Sequence, residues 1–363
     1  MRYSIQKDHH KPIYIRLYEL LREDIIAGVY PYGSKLPSKR TVKEELGISL
    51  ISVEHALELL TDEGYIESRE RSGYFVRYRK SDVPFSPSQS AHLVKKMEGA
   101  GASDDYFPFS VLAKAMRRVL SVYGEDLYVR CPNKGSAELR EALARFLLRS
   151  KNISVTPDRI FIGAGAEWLY MTIAMTFGKG SVIAVEDPSY EKIGQIYASN
   201  DSKTLKLPLG RDGVLSEALW ACKADLLHVT PYRSFPTGVT TSGAKRRAYI
   251  EWAQKNGAYI LEDDYLSEFS VSKKPEETIF SIDGGVRVIY VNSFAQTICP
   301  TIRVGYAVLP QSLVDRYEAA AGFYTCPVPA FEQYVLAELI ESGDFERHLN
   351  RVRRKRRKEE GKT

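Results

Sequence analysis

The chain has 363 residues, 44% hydrophobic and 27% charged, an ordinary composition for a soluble globular protein of two or three domains. No apolar run approaches the ~20 residues of a membrane helix, the N-terminus lacks the apolar stretch of a signal peptide, and Cys131, Cys222, Cys299 and Cys326 show no metal-ligand spacing, reading as reduced thiols of a cytoplasmic protein. The net charge of +5 is a tail effect: residues 346–363 hold nine Lys/Arg against three Glu, so the body carries no strong electrostatic footprint for a polyanion.

Residues 13–27 place Ile13, Leu17, Leu20, Leu21 and Ile25 on one face at helical spacing, and Gly28 stops the helix. Ser38 is positioned to cap a second, short helix that ends at Gly47. A third helix carries Val53, Ala56, Leu57 and Leu60 on one face and ends near Gly64. YIES and YFVRY flank the turn-prone RERSG, so 65–78 reads as a β-hairpin. Residues 1–78 form a small domain of three helices and a hairpin. Residues 79–105, rich in Ser, Pro, Gly and charge, read as a linker with a short helix at 91–97.

From 106 onward, short apolar strands alternate with longer helices. RIFIGAG precedes AEWLYMTIAMTF, SVIAVEDP precedes SYEKIGQIYASN, DLLHVTP leads to GAKRRAYIEWAQKN, and AYILEDDY and RVIYV follow. The pattern predicts an α/β domain with a mostly parallel sheet covered on both faces. Ligands of such sheets bind beyond the carboxyl ends of the strands. The closing run RVRRKRRK spreads Arg and Lys round a helix, which suits a solvated surface better than a polyanion-binding tail.

Two helices joined by a tight turn and followed by a hairpin fit either a winged helix-turn-helix or a helical interaction module. The wording decides between them. LPSKRTVKEELGISLISVEHALELLTDEGYIESRERSGYFV resembles the DNA-binding domain of the GntR family across roughly 70 residues. The resemblance implies that Arg40 contacts phosphate or base, that Ser49 and Ser52 contact the DNA backbone, and that Ser72 and Gly73 of the wing reach the adjacent groove. Two positions depart from the family pattern. Leu50 stands where an Arg reads guanine, and Glu54 replaces a basic residue one turn later. Arg suits bidentate guanine contact and a carboxylate repels phosphate, so weakened or altered DNA binding is expected, carried by Lys39, Arg40, Lys43 and His55.

The strand-end segments IGAGAE, VEDPSY, VTPYRSFPTG, EDDY and NSFAQTICPTIRVGY form an ordered set. Alone, EDDY reads as a solvated acidic strand end or a partial metal site. Together they resemble the fold type I aminotransferase domain fused to a GntR domain in the MocR subfamily of regulators, from about residue 107 to residue 357. The resemblance implies pyridoxal 5′-phosphate as cofactor. Asp263 then matches the carboxylate paired with the pyridinium nitrogen, Tyr265 the phenol on the ring hydroxyl, and Tyr190 the aromatic stacked on the ring, with a core tyrosine as its alternative. Gly165 and Ala166 open a helix whose backbone N–H groups can face phosphate. Ser293 and Arg303 match the hydroxyl and guanidinium that hold the phosphate. Tyr128 matches the residue lent by a partner subunit, though the spacing around CPNKG departs from the pattern.

Seven residues before that arginine the family carries the lysine that forms an imine with the cofactor. Here the position is Gln296, and residues 292–306 contain no lysine. An amide nitrogen is not nucleophilic, and the same lysine moves the proton in transamination. No catalytic residue is therefore expected, and the cofactor is expected to be non-covalent or absent. Lys→Gln changes also serve as engineered traps for external imines, but Leu50 and Glu54 are departures that one designed change does not explain. The chain end is expected to omit most of the family's C-terminal small domain, with its arginine for a substrate carboxylate. The resulting reading is a cytoplasmic, homodimeric DNA-binding transcription regulator that senses an amino compound or a vitamin B6 form. The alternatives are a pyridoxal-dependent aminotransferase and a degenerate dimerisation partner. No metal and no membrane are expected as partners.

Overall fold

The computed structural model describes residues 12–69, 72–79, 106–272 and 277–360. It divides into two compact units, residues 1–100 and 101–363. Arg79 apart, the linker expected at 79–105 lies outside the described residues, as does the short helix at 91–97. No described helix is long and apolar enough to cross a membrane.

The first unit contains α1 (Ile13–Ala27), α2 (Lys39–Leu46), α3 (Leu50–Asp62), β1 (Ile66–Arg69) and β2 (Gly73–Val76). Its punctuation is chemical. Gly28 and Gly47 take left-handed conformations that close α1 and α2, while Ser38 and Ser49 accept backbone N–H bonds at the starts of α2 and α3. Leu17, Leu21, Ile25, Val53, Ala56, Leu57 and Leu60 are buried in one core with Val42, Ile66 and Val76. Ile13, expected on the same stripe, is 38% exposed because it opens the first turn of α1. β1 and β2 pair antiparallel, and Lys35 bridges Phe75, so the chain before α2 lends the wing a third edge.

The second unit runs α4 (Phe109–Tyr123), α5 (Ala137–Lys151), β3 (Ile160–Gly163), α6 (Ala166–Phe177), β4 (Val182–Asp187), α7 (Glu191–Ser199), β5 (Lys203–Pro208), α8 (Ser216–Ala221) and β6 (Leu226–Val229). It continues with α9 (Gly243–Asn256), β7 (Tyr259–Asp263), α10 (Ile279–Asp283), β8 (Val288–Ser293), β9 (Gly305–Val308), α11 (Gln311–Ala321), α12 (Ala330–Glu341) and α13 (Asp344–Glu360). Seven strands form one sheet in the order β3-β9-β8-β7-β6-β4-β5. The pairs β4–β5, β4–β6, β6–β7 and β7–β8 are parallel, and β9 runs antiparallel to both neighbours.

Period-two alternation splits the strands between two cores. Val288 and Tyr290 face one core with Ile260 and Val308, whereas Ile289 and Val291 face the other with Leu261 and Ala307. Both faces are covered, so the central strands are mostly apolar and carry their polar residues toward the carboxyl ends. The carboxyl ends of β4, β6, β7 and β8 consequently open on one edge of the sheet, as the strand pattern predicts.

Two buried carboxyls make the stability of this unit depend on pH. Burial pushes both Glu186 and Glu262 up to about 7, against an ordinary value of 4.5. Glu186 accepts from the Ser234 hydroxyl at 2.6 Å, and Glu262 from the backbone N–H groups of Ile279 and Phe280 at 2.8 Å each. Both folded values exceed the unfolded one. The folded state therefore binds more protons between pH 4.5 and 7, and stability falls as pH rises through that window. Thermal unfolding followed by circular dichroism should give a higher midpoint at pH 6 than at pH 8, by about 2–4 °C for each kcal/mol of linkage. Glu186→Gln should shrink that difference. A midpoint that climbs from pH 6 to pH 8 would contradict this assignment.

Candidate functional site

In the first unit, Ser49 caps α3: its Oγ accepts from the Ser52 backbone N–H at 3.1 Å and lies 2.8 Å from the Ser52 Oγ. Both hydroxyls matched to DNA contacts thus already serve the helix start. Lys39 donates to Glu54 Oε1 at 3.0 Å, joining α2 to α3. That bond raises the Lys39 ammonium and keeps it charged, but points it at a carboxylate. Arg40, Lys43 and His55 are exposed, and the His55 ring sits edge-on to Tyr14 at 5.6 Å. Leu50 and Ile51, which open α3, are 39% and 64% exposed. On the wing, the Ser72 N–H bonds the Arg69 carbonyl at 2.9 Å, and Gly73 has a φ of 104°, where a Cβ would lie 3.1 Å from Lys35 Cε. Arg69 and Arg77 both pair with Glu67, which they hold below the usual carboxylate range. Lys39, Arg69 and Arg77 thus face carboxylates, while Arg40 and Lys43 stay exposed to solvent.

In the second unit a cavity of about 350 Å³ opens at the carboxyl ends of the strands. Gly165, Ala166, Tyr190, Asp263, Tyr265, Ser293, Gln296 and Arg303 all line it. Tyr128 does not, being 89% exposed in a 3-10 turn at Gly124–Tyr128. Tyr190 is 38% exposed, so it is a wall of the cavity rather than a core tyrosine. Its ring meets Phe235 edge-on at 6.4 Å.

The acidic run at the end of β7 splits three ways, because successive side chains leave a strand on opposite faces. Glu262 turns to the start of α10, as described above. Asp264 is buried against Lys151 at 3.0 Å and accepts from the hydroxyls of Ser267 at 2.7 Å and Tyr290 at 2.8 Å. Burial pushes its carboxyl up, and Lys151 with these hydrogen bonds more than offsets that, so the net shift is downward. Only Asp263 lines the cavity. Among the described residues no group of three His, Cys, Asp or Glu is placed to hold a metal ion.

Asp263 is 6% exposed. Its Oδ2 accepts from the Tyr170 hydroxyl at 2.6 Å and lies 3.9 Å from His228 Nε2, while its Oδ1 is buried with no hydrogen-bond partner among the described residues. The Tyr170 phenol is pushed well up by burial and by Asp263, so it stays a neutral donor. An orphaned carboxylate oxygen on a cavity wall fits a ligand that brings a charged N–H. The far wall fits an anion. Gly165 has a φ of 86°, and a Cβ there would lie 3.3 Å from Arg303 Nη2, so glycine lets the guanidinium lie against the start of α6. Ser293 ends β8 beside it, and the Tyr265 hydroxyl donates to the Arg233 carbonyl at 2.9 Å. Gln296 lines the cavity, exposed, and among the described residues no lysine lines it with Gln296.

Sequence reasoning passed over Glu167, Tyr170, His228, Thr230 and Phe235. Tyr170 and His228 sit in apolar runs and read as core. Their only signal is a polar atom where a hydrophobe would do.

Comparison with known proteins agrees with both units. Residues 13–76 match the model of bacterial regulatory proteins of the gntR family, and residues 100–361 match aminotransferase class I and II. The HTH-type transcriptional regulator YdeL of Bacillus subtilis (strain 168), itself uncharacterised, is 32% identical over 96% of this chain and 77% of its own length. The probable rhizopine catabolism regulatory protein MocR of Rhizobium meliloti is 28% identical over 96% of this chain and 76% of its own. Among solved structures, the α-aminoadipate aminotransferase LysN of Thermus thermophilus, complexed with N-(5′-phosphopyridoxyl)-L-leucine, superposes with a TM-score of 0.60 at 28% identity, covering 69% of this chain and 65% of LysN. The fold is that of fold type I aminotransferases, which generally bind pyridoxal 5′-phosphate. The chain belongs to the MocR-type HTH transcriptional regulators, a gntR-family domain followed by a class I and II aminotransferase domain.

Proposed function

We propose that this regulator holds pyridoxal 5′-phosphate, its amine form or its adduct with an amino compound without a covalent bond, and answers to that ligand in binding DNA. The observation that carries the reading is Asp263, whose Oδ1 has no hydrogen-bond partner among the described residues, on the wall of a cavity that Arg303 and Ser293 also line. Asp263 would keep the ring nitrogen protonated, with the Tyr170 hydroxyl fixing the carboxylate. Arg303, Ser293 and the backbone N–H groups that open α6 would hold the phosphate, and Tyr190 would cover the ring. The bound ring supplies an electron-withdrawing pyridinium. Gln296 would offer a hydrogen bond where the family has its lysine, which favours a sensor over an aminotransferase. LysN, of the same fold, is seen with a phosphopyridoxyl amino acid, a ligand of the chemistry this cavity suits.

The ligand would bias domain arrangements only by its differential affinity for them. We assign residues 1–78 to DNA binding, 79–105 to a linker and 106–363 to the sensor, working as a cytoplasmic homodimer with Tyr128 exposed toward a partner. The test is addition of pyridoxal 5′-phosphate or pyridoxamine 5′-phosphate to the full chain, with absorption spectra before and after dialysis and gel shifts on its own upstream DNA. The expected result is saturable binding, a free-aldehyde spectrum that dialyses away, and a gel shift altered by the ligand. A cofactor that survives dialysis, or no binding at millimolar ligand, would reject the reading.

A further inference from the structure

One carboxylate in the cavity is left over by the reading above. Glu167 stands in the first turn of α6, where the phosphate is placed. Its Oε2 lies 3.3 Å from Arg303 Nη2, its Oε1 accepts from Lys192 Nζ at 3.0 Å, and the Tyr190 hydroxyl reaches the same oxygen at 3.3 Å. Resting on the proposed phosphate subsite, we propose that Glu167 is a built-in anion occupying that subsite, so that a phosphate monoester binds by taking Arg303 away from its carboxylate.

Local charge supports this. Arg303 and Lys192 supply two positive charges and Glu167 one negative, so an arriving dianion leaves a net negative site. With the carboxylate neutralised, the same dianion balances the two cations. The Lys192 hydrogen bond, the largest influence on Glu167, holds its carboxyl below the usual range, so it stays ionised at neutral pH. The distances also give an order of release. The Arg303 contact is longer than the Lys192 bond, and Glu167 retains Lys192 and Tyr190 after the guanidinium turns to phosphate. Because Tyr190 and Lys192 stand at the start of α7, the carboxylate ties the aromatic wall to the anion site. Phosphate arrival is then felt at α7.

The test compares wild type with Glu167→Gln. Pyridoxal 5′-phosphate, inorganic phosphate and unphosphorylated pyridoxal are titrated by intrinsic fluorescence, and circular dichroism verifies folding. Glu167→Gln should bind both phosphate-bearing ligands about tenfold more tightly, or ~1.4 kcal/mol, and pyridoxal within about twofold of wild type. In an Arg303→Gln background the gain should vanish, since the carboxylate acts through that guanidinium. Wild-type binding of pyridoxal 5′-phosphate with no gain in Glu167→Gln overturns this inference alone, as does an equal gain for pyridoxal. Folded wild type and variant that both ignore the cofactor overturn it together with the cavity's assignment.

Discussion

Gln296→Lys is expected to turn a dialysable ligand into one covalently held. Gln296 is exposed and lines the cavity with Asp263, Ser293 and Arg303, so replacing it disturbs no buried packing. The two side chains differ little in reach. A lysine amine placed there has Arg303 nearby, which lowers its proton affinity and favours the nucleophilic neutral form. Positioning of the aldehyde by the ring and phosphate contacts makes bond formation intramolecular in effect, a large advantage. Retention of pyridoxal 5′-phosphate should improve by about 100-fold or more. The bound ligand should absorb nearer the visible than free aldehyde, and borohydride should fix the cofactor to a peptide containing residue 296. A variant that folds, yet loses its ligand on dialysis as wild type does, would show that the cavity walls are not arranged for this cofactor.

The second large effect concerns DNA. Leu50→Arg combined with Glu54→Gln should strengthen binding to the chain's own upstream region by roughly 10–100-fold at low salt. Each change acts differently. Leu50 opens α3 and is 39% exposed, and the first residues of a recognition helix face base edges. An arginine there adds a bidentate guanine contact worth about 1–3 kcal/mol, sensitive to sequence. A cation at a helix start costs about 0.3–1 kcal/mol, which does not cancel it. Glu54→Gln frees Lys39, now paired with Glu54 at 3.0 Å, and removes a charge that repels phosphate. Its gain should be uniform across sequences and steepen the salt dependence by about one phosphate contact. Gel shifts from about 50 to 200 mM salt separate the two. Tight sequence-specific binding by wild type, or no gain in the double variant, would contradict the view that these two positions limit the domain.

What the sequence made legible follows physical rules. Strands buried on both faces, such as VIYVN before Ser293, announce themselves because nearly every residue is apolar. The edge strand KTLKLP escapes notice: four of its first five residues are exposed, and its lysines blunt the sheet edge. The amphipathic helices α4, α5 and α11 and the largely buried α12 have no counterpart in the sequence expectations, although AELREALARFLLRS carries the period. Eight of the residues matched to the cofactor site line one cavity, Tyr128 excepted: seven stand at or just beyond a strand end or at a helix start, and Arg303 leads into β9, where fold geometry converges. Glu167 could not be placed from sequence: its meaning comes from an arginine 136 residues away. The role of Tyr170 depends likewise on Asp263 across the sheet edge.

The central claim is a vitamin B6 cavity with its charged walls in place and its covalent anchor gone. A crystal of the full chain soaked in pyridoxal 5′-phosphate tests it most directly. The expected density places the ring nitrogen on Asp263 and the phosphate on Arg303 and Ser293, with no continuous density joining the ligand to the Gln296 side chain. Ligand density elsewhere, or a fully empty cavity at saturating concentration, would contradict it.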